Sequence, residues 1–290
     1  MISSTRYAAL WQSKSGKRVS ETKLFLHLYD DMNMITSSSN KNLKLINALN
    51  TSGKERRKTG LFVAEGERLV FDAPDGMIES VFVTQDFYDL HRSGLEAFPD
   101  VQLVADQLLR SVSDTKTPQG IIAIARQPVF EFDMTKSGID FYMLLEDVQD
   151  PGNMGTIMRT AEGAGVGFVF TNRGCVDLYN PKTVRSTMGS IFRVPHVLCE
   201  DLCAVVDSLK KAGVSVYAAH LKGERSCFEP DYTKPTAFII GNEGNGLSDA
   251  MAEAATELVK IPMAGSLESL NASVAASVLM YETARQRLAV

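Results

Sequence analysis

Positive charge is in short supply in this 290-residue sequence. Thirty Lys and Arg face 35 Asp and Glu, a formal net charge of −5. Contact with a nucleic acid therefore has to use local patches, not a global field. Histidine and cysteine are equally sparse, four of each. Cys199 and Cys203 form a C-x3-C pair, but no second Cys/His pair stands at zinc-like spacing, so buried free thiols are expected and no metal. Nothing suggests a disulfide framework, which fits a reducing, cytoplasmic setting. No apolar run reaches the roughly 18 residues of a membrane span, and the N-terminus lacks the apolar region of a signal peptide. No G-x-x-x-x-G-K-[ST] occurs, which excludes a P-loop. The late glycine turn reads G-x-x-G-x-G and not G-x-G-x-x-G, which argues against a dinucleotide fold.

What is present is ordinary globular composition, 44% hydrophobic and 22% charged. Residues 1–39 are rich in Ser, Thr and Lys and are expected to be a poorly ordered or non-native extension, from an upstream start codon. From Asn40 a helical stripe begins at Leu43, Leu45, Ile46 and Leu49. Strands alternating with helices to residue 127 indicate a small α/β domain. Residues 128–139, with Pro128 and Gly138 and no clear period, read as a linker. The β-α alternation restarts at Phe141 and runs to the end, a larger α/β domain over 140–290 with mainly parallel strands.

The densest chemistry lies in residues 237–276. The apolar run Ala237–Ile240 breaks into Gly241-Asn242-Glu243-Gly244-Asn245-Gly246. A second apolar run ends Val259-Lys260-Ile261-Pro262. A small-residue loop from Met263 to Glu268 then leads into Ser269-Leu270-Asn271-Ala272-Ser273 and a long helix. Two glycine-lined strand exits this close can wall a pocket for a flat ligand with backbone. Each polar residue here has two readings. Asn153, at a helix start, caps it or serves a site. Arg159 faces solvent or grips a phosphate or ribose oxygen. Glu243 is a solvated loop carboxylate or a functional one on irregular backbone. Ser269, Asn271 and Ser273 cap the last helix or line a ligand site, and three small polar residues exceed what one cap needs. The cluster Lys54-Glu55-Arg56-Arg57-Lys58 is a solvated loop or a set of phosphate contacts. Arg185 and Arg193 flank another local positive patch. The last helix is expected to turn Val274, Val278, Leu279 and Tyr281 to an apolar side, for the core or a dimer interface.

These residues together resemble the SpoU/TrmH family of SPOUT RNA ribose methyltransferases. The resemblance is carried by Glu146-Asp147-Val148-Gln149-Asp150-Pro151-Gly152-Asn153 through Arg159, by Ile240–Leu247, and by Ile261-Pro262-Met263 through Ala275. Residues 40–126, with Phe62-Val63-Ala64-Glu65-Gly66 and Thr117-Pro118-Gln119-Gly120, resemble the family's L30e-like substrate-binding domain. The resemblance implies a C-terminal trefoil-knotted α/β fold, S-adenosylmethionine as methyl donor, a ribose 2′-hydroxyl of RNA as acceptor, ribosomal RNA favoured over transfer RNA, and a homodimer. By motif position it implies cofactor contacts from Gly241, Ile261 and Leu270, with Asn242, Gly246 and Met263 beside them. It sets Asn153, Arg159, Glu243, Asn271 and Ser269 at the reaction centre, with Arg159 folding across the pocket to make its acceptor side. Lys54, Arg56, Arg57 and Lys58 become candidates for RNA contact. A knotted RNA-binding protein without turnover, and a methyltransferase acting on a base nitrogen, are the competing readings.

Overall fold

The computed structural model describes residues 33–133 and 138–288. The expectation for residues 1–39 falls mostly outside them. Its last part is corrected: Ile35 pairs in parallel with Val104, its N–H donating to Leu103 O at 2.8 Å while its carbonyl accepts from Ala105 N at 3.0 Å.

Asn40 opens α1 (Lys41–Thr51) by accepting from the N–H groups of Asn42 and Leu43, and Leu43, Ile46 and Leu49 are its buried stripe. The basic cluster that follows is a helix and not a loop, α2 (Gly53–Thr59). Ser52 accepts from Glu55 N at its start, and Gly60 ends it at φ +67°, where only glycine sits without strain. Then come β1 (Leu61–Glu65), α3 (Glu67–Phe71), β2 (Ile78–Val83), α4 (Gln85–Leu95), β3 (Val101–Leu103), α5 (Asp106–Val112) and β4 (Ile121–Arg126). The four strands form one sheet in the order β1-β4-β2-β3, antiparallel except for β2–β3. Glu65, buried at the end of β1, accepts from Asp114 N at 3.0 Å, Thr115 Oγ1 at 2.7 Å and Ser113 Oγ, which moulds the loop after α5.

The segment read as a linker is anchored at its start. Phe132 packs on Phe168 and Phe170 with ring centroids 4.9 and 4.7 Å away, and Phe130 lies 5.1 Å from His196. Alternate aromatics turn inward here, a signal too short to register as a period.

The second sheet has seven strands, all paired in parallel: β5 (Phe141–Leu145), β6 (Phe168–Thr171), β7 (His196–Leu198), β8 (Ser215–Ala219), β9 (Arg225–Ser226), β10 (Thr236–Ile240) and β11 (Glu257–Lys260), in the order β7-β6-β5-β10-β8-β11-β9. Its centre is buried on both faces, as a parallel sheet requires. Phe141, Met143, Leu145, Phe238 and Ile240 face α6 (Pro151–Ala164) and α10 (Ala272–Leu288). Tyr142, Leu144, Ala237 and Ile239 pack with Leu202, Val206 and Leu209 of α8 (Leu202–Lys211) and Met251 of α9 (Asp249–Ala254). On α10 the buried face is Ala272, Ser273, Ala276, Leu279, Met280, Glu282 and Thr283; Val274 and Tyr281, expected on an apolar side for the core or a dimer interface, are outside the core, 47% and 56% exposed. The far end of α10 is clasped by the chain before β10. Gln286 accepts from Tyr232 N and donates to Pro230 O, and Arg287 bonds Tyr232 O, Lys234 O and Asp140.

The two sheets share a core. Phe62 of β1 lies 5.1 Å from Tyr179 and 5.6 Å from Phe192. Two ion pairs flank that contact: Arg56 with Asp177 at 2.8 Å, and Asp114 with Arg185 of α7 (Pro181–Thr187) at 2.7 Å.

Candidate active site

The carboxyl ends of β8, β10 and β11 open onto a cavity of about 600 Å³, within the range of small-molecule sites. Its wall is made by the glycine turn after β10, the loop after β11 and the start of α10. The turn is shaped by two bonds between Asn242 and Gly246, N–H to carbonyl each way at 3.0 Å. Asn242 also accepts at Oδ1 from Gly244 N and Asn245 N, and donates from Nδ2 to Asp147 O. Gly246 takes φ +71°. A Cβ on Gly241 would lie 2.4 Å from the carbonyl carbon of Gly246, so the close passage of the two strands of the turn depends on glycine there. Glu146, at the exit of β5, fixes the far side by accepting from Ser248 N at 2.8 Å and Ser248 Oγ at 2.7 Å.

One network joins the turn to the two helices. Asp150 caps α6, accepting from Asn153 N at 2.8 Å. The helix begins at Pro151, earlier than the sequence pattern indicates, so the capping reading of Asn153 is corrected and its side chain is left for other partners. It donates from Nδ2 to Glu243 Oε1 at 2.8 Å and accepts at Oδ1 from Asn271 Nδ2 at 3.0 Å. Asn271 Oδ1 in turn accepts from Ser273 N at 2.9 Å and Ser273 Oγ at 2.7 Å, at the start of α10. Ser273 Oγ also lies 3.2 Å from Asn153 Oδ1, and its single proton favours the shorter contact. A carboxylate only accepts, so Glu243 forces the amide of Asn153 to face it, and this sets the orientation of Asn271.

Burial alone would push the Glu243 carboxyl up. The bonds it receives from Asn153 and from the N–H groups of Gln149 and Asp150 outweigh that and hold it below the usual glutamate range. The cavity thus carries a fixed negative charge at the N-terminal end of α6, where the helix dipole favours it.

Gly241, Asn242, Gly246, Ile261, Met263 and Leu270 all line the cavity, as do Glu243 and Ser269. Asn271 serves both of its readings, capping α10 and joining the network, whereas Ser269 is exposed in the loop before the helix. Arg159 is not brought to the cavity. Six residues along an α-helix turn it about 240° from Asn153, and it stands exposed on α6, outside the cavity lining. Arg56 leaves the proposed RNA surface altogether: it is 4% exposed, paired to Asp177 and bonded to Leu49 O, while Lys54, Arg57 and Lys58 remain exposed on α2. The pair Arg185 and Arg193 is likewise spent, on Asp114 and on Glu162. Glu146 and Asp150 stood in the quoted motifs without a role of their own, and Ser273, read as a cap or a ligand-site residue, bonds Asn271 at the start of α10; which of a run of polar residues caps and which bonds across is set by where the helix starts.

All four cysteines are free. Cys227 is buried and Cys175, Cys199 and Cys203 only half-buried, and burial pushes the Cys175 and Cys227 thiols up to about 11. Among the described residues no group of His, Cys, Asp and Glu has the arrangement of a metal site, and no helix is long and apolar enough to cross a membrane.

Two family models match the chain, the SpoU rRNA Methylase family over residues 140–281 and the MRM3-like substrate binding domain over 40–123. A 23S rRNA guanosine 2′-O-methyltransferase of Bacillus subtilis is 36% identical over 86% of this chain and 98% of its own length. A 23S rRNA uridine 2′-O-methyltransferase of Streptomyces viridochromogenes is 34% identical over 65% of this chain and 68% of its own. Among solved structures, the SpoU methyltransferase AviRb of Streptomyces viridochromogenes, in complex with AdoMet, superimposes with a TM-score of 0.77 at 30% identity, covering 87% of this chain and all of that one. An rRNA methyltransferase of Sinorhizobium meliloti gives 0.76 at 32% identity, over 87% and 97%.

Proposed function

Because this chain belongs to the SpoU rRNA methylase family, we propose that it transfers a methyl group from S-adenosylmethionine to a ribose 2′-hydroxyl of RNA, with ribosomal RNA as the substrate class. The observation that carries this reading is the cavity at the carboxyl ends of β8, β10 and β11, tied through Glu243 to the Asn153–Asn271 network.

The residues present suit the cofactor. The cavity has the right size class, its wall is largely backbone and apolar side chain, and Gly241 keeps open a close approach that a Cβ would fill. Backbone at Gly241, Ile261 and Leu270 would hold the purine and ribose portions. The ionised Glu243 favours a cationic ligand nearby. When bound, S-adenosylmethionine supplies a methyl group on a positively charged sulfur, which a ribose oxygen takes up with loss of the hydroxyl proton. The chain's own contribution is mainly alignment. Asn153 and Asn271 hold the two helix starts in register with the glycine turn, and Glu243 locks their amide orientation. Arg159 cannot serve as the base, since a guanidinium stays protonated at ordinary pH. Its role in this reading is to clamp a phosphate beside the acceptor and to stabilise negative charge developing on the oxygen.

The position of Arg159 outside its own chain's cavity supports a homodimer in which a second copy supplies the acceptor side. The exposed Val274 and Tyr281 on α10 suit such a contact. In this reading residues 40–127 present the RNA and 140–290 carry the transfer, and Lys54, Arg57 and Lys58 meet phosphates. The trefoil knot expected of the family belongs to this reading. The two relatives are named for the ribose of different 23S rRNA nucleosides, a guanosine and a uridine.

Transfer of labelled methyl groups to ribosomal and transfer RNA, followed by nucleoside analysis, tests this reading. A 2′-O-methylated nucleoside is expected. A base-methylated product, or RNA binding with no transfer, would replace it with one of the competing readings. Arg159→Ala should abolish turnover while calorimetry still shows cofactor binding, and Arg159→Lys should recover little if the planar fork matters.

A further inference from the structure

The segment from Asn180 to Arg193 carries three basic residues, Lys182, Arg185 and Arg193, and the structure spends two of them. Arg185 Nη2 lies 2.7 Å from Asp114 Oδ2 across the shared core. Arg193 makes two bonds to Glu162, at 2.6 and 3.0 Å. Lys182 is different. Its Nζ lies 3.8 Å from Asp150 Oδ2, and the two side chains are 61% and 49% exposed. Such a pair is weak and exchanges partners readily. Its location is specific nonetheless. Asp150 caps α6, and its own N–H faces Glu243 Oε1 at 3.3 Å, so Lys182 stands one residue away from the Glu243–Asn153–Asn271 network.

The seam between α6 and α7 gives this placement direction. A Cβ on Gly155 would lie 2.3 Å from Ser186 Cβ and 2.9 Å from Thr183 O, so the helices touch where α6 has no side chain. Asp150 stands beside Lys182 at one end of the seam, and Glu162 bonds Ser190 and Arg193 at the other, so the helices run side by side in the same sense. Arg159 is four residues beyond Gly155, about 40° round the helix and one turn on, and it emerges exposed along the same seam. Lys182 and Arg159 are thus both exposed cations on helices in contact, Lys182 beside Asp150 at the start of α6.

We infer that Lys182 contacts the phosphodiester backbone of the RNA next to the acceptor ribose, exchanging Asp150 for a phosphate when RNA binds. This rests on the RNA methyltransferase reading above and adds to it a residue that the motif resemblance leaves without a role.

The test compares Lys182→Ala, Lys182→Arg and the control Lys211→Ala with the unaltered full chain. Lys211 ends α8, at the opposite edge of the parallel sheet from the cavity. The probe is 23S ribosomal RNA transcribed in vitro. Four quantities are read: kcat and KM for methyl transfer, the salt dependence of RNA binding, S-adenosylmethionine affinity by calorimetry, and Tm. Lys182→Ala should raise KM for RNA about tenfold and shrink the salt slope by about 0.7–0.9, one phosphate's worth. Cofactor affinity and Tm should hold, Lys182→Arg should restore the slope, and Lys211→Ala should change none of the four. An unchanged KM and slope in Lys182→Ala overturns the inference. So does a parallel fall in Tm and cofactor affinity, which would make Lys182 a prop for the Asp150 cap. If the unaltered chain binds RNA but transfers nothing, the methyltransferase reading fails on its own, and the salt slope still decides whether Lys182 is an RNA contact.

Discussion

Asn153 donates from its side-chain amide to Glu243 at 2.8 Å, joining the start of α6 to the glycine turn after β10 across ninety residues of chain. The pairing is directional: one partner is a carboxylate held ionised, the other an amide that can present N–H or C=O but not both to it.

Asn153→Asp, nearly the same in shape, replaces that N–H by a second carboxylate. Losing the bond and leaving acceptors face to face should cost about 1–3 kcal/mol. The sign with pH is the informative part. Two carboxylates at this distance share a proton, so their joint pKa rises in the folded state, and the variant should be relatively more stable at low pH and lose stability as pH rises. Glu243 in the unaltered chain has the opposite sign. Its folded pKa lies below the ordinary 4.5, so it contributes stability above that value that is lost as pH falls through the lower folded one. Tm measured from about pH 2 to 8 for the unaltered chain, Asn153→Asp and Glu243→Gln should show these two opposite slopes and, in Glu243→Gln, a flatter acid limb below pH 4.5. Parallel curves for all three would remove the coupling.

Arg56 is expected to matter for stability and not for RNA. Its side chain is 5% exposed, that of Asp177 22%, and the pair spans the two sheets. Removing one member of a pair this enclosed should cost about 3 kcal/mol. A double-mutant cycle with Arg56→Ala and Asp177→Ala should show the two losses to be strongly non-additive. Neutralising Lys54, Arg57 and Lys58 together should leave Tm nearly unchanged and flatten the salt dependence of RNA binding. Equal effects of Arg56→Ala and the triple change on both readouts would erase the distinction.

That contrast marks what the sequence can show. Lys54, Arg56, Arg57 and Lys58 look alike in a row of letters, and only the helix between Ser52 and Gly60 turns one of them inward. The parallel sheet was legible because buried strands write continuous apolar runs, and the glycine turn because Gly241 and Gly246 answer to backbone sterics at their own positions. The Asn153–Glu243 bond was not, since nothing local sets its partner. Helical phase likewise moved Arg159 away from the cavity and turned Val274 and Tyr281 outward, although each lies in a segment whose helical state was plain.

Truncation separates the two parts of the N-terminal stretch. A chain starting at Met34 keeps the two bonds that Ile35 makes beside β3, and one starting at Asn40 loses them. The second should be less stable than the first by about 1–3 kcal/mol, two backbone bonds at roughly 0.5–1.5 each. Chemical denaturation of both chains measures the difference, and equal midpoints would mean the bridge at Ile35 contributes nothing in solution.

Gly241→Ala tests whether the cavity wall depends on backbone proximity. The added methyl would lie 2.4 Å from the Gly246 carbonyl carbon and 2.6 Å from Leu247 N, both backbone atoms with no rotamer to retreat into. The turn must open, and relief of such overpacking is typically worth about 1–3 kcal/mol. The Asn242–Gly246 bonds resist that opening, so the strain should fall on the ligand side, where the wall is free. S-adenosylmethionine affinity should drop about 10- to 100-fold, given 1.4 kcal/mol per factor of ten, while Tm without ligand falls by only a few degrees. Gly244→Ala is the internal control: its Cβ would meet only Asn242 Oδ1, at 3.4 Å, an ordinary contact. If calorimetry showed the two variants binding equally well, close approach at Gly241 would be a feature of the turn alone and not of the cofactor wall.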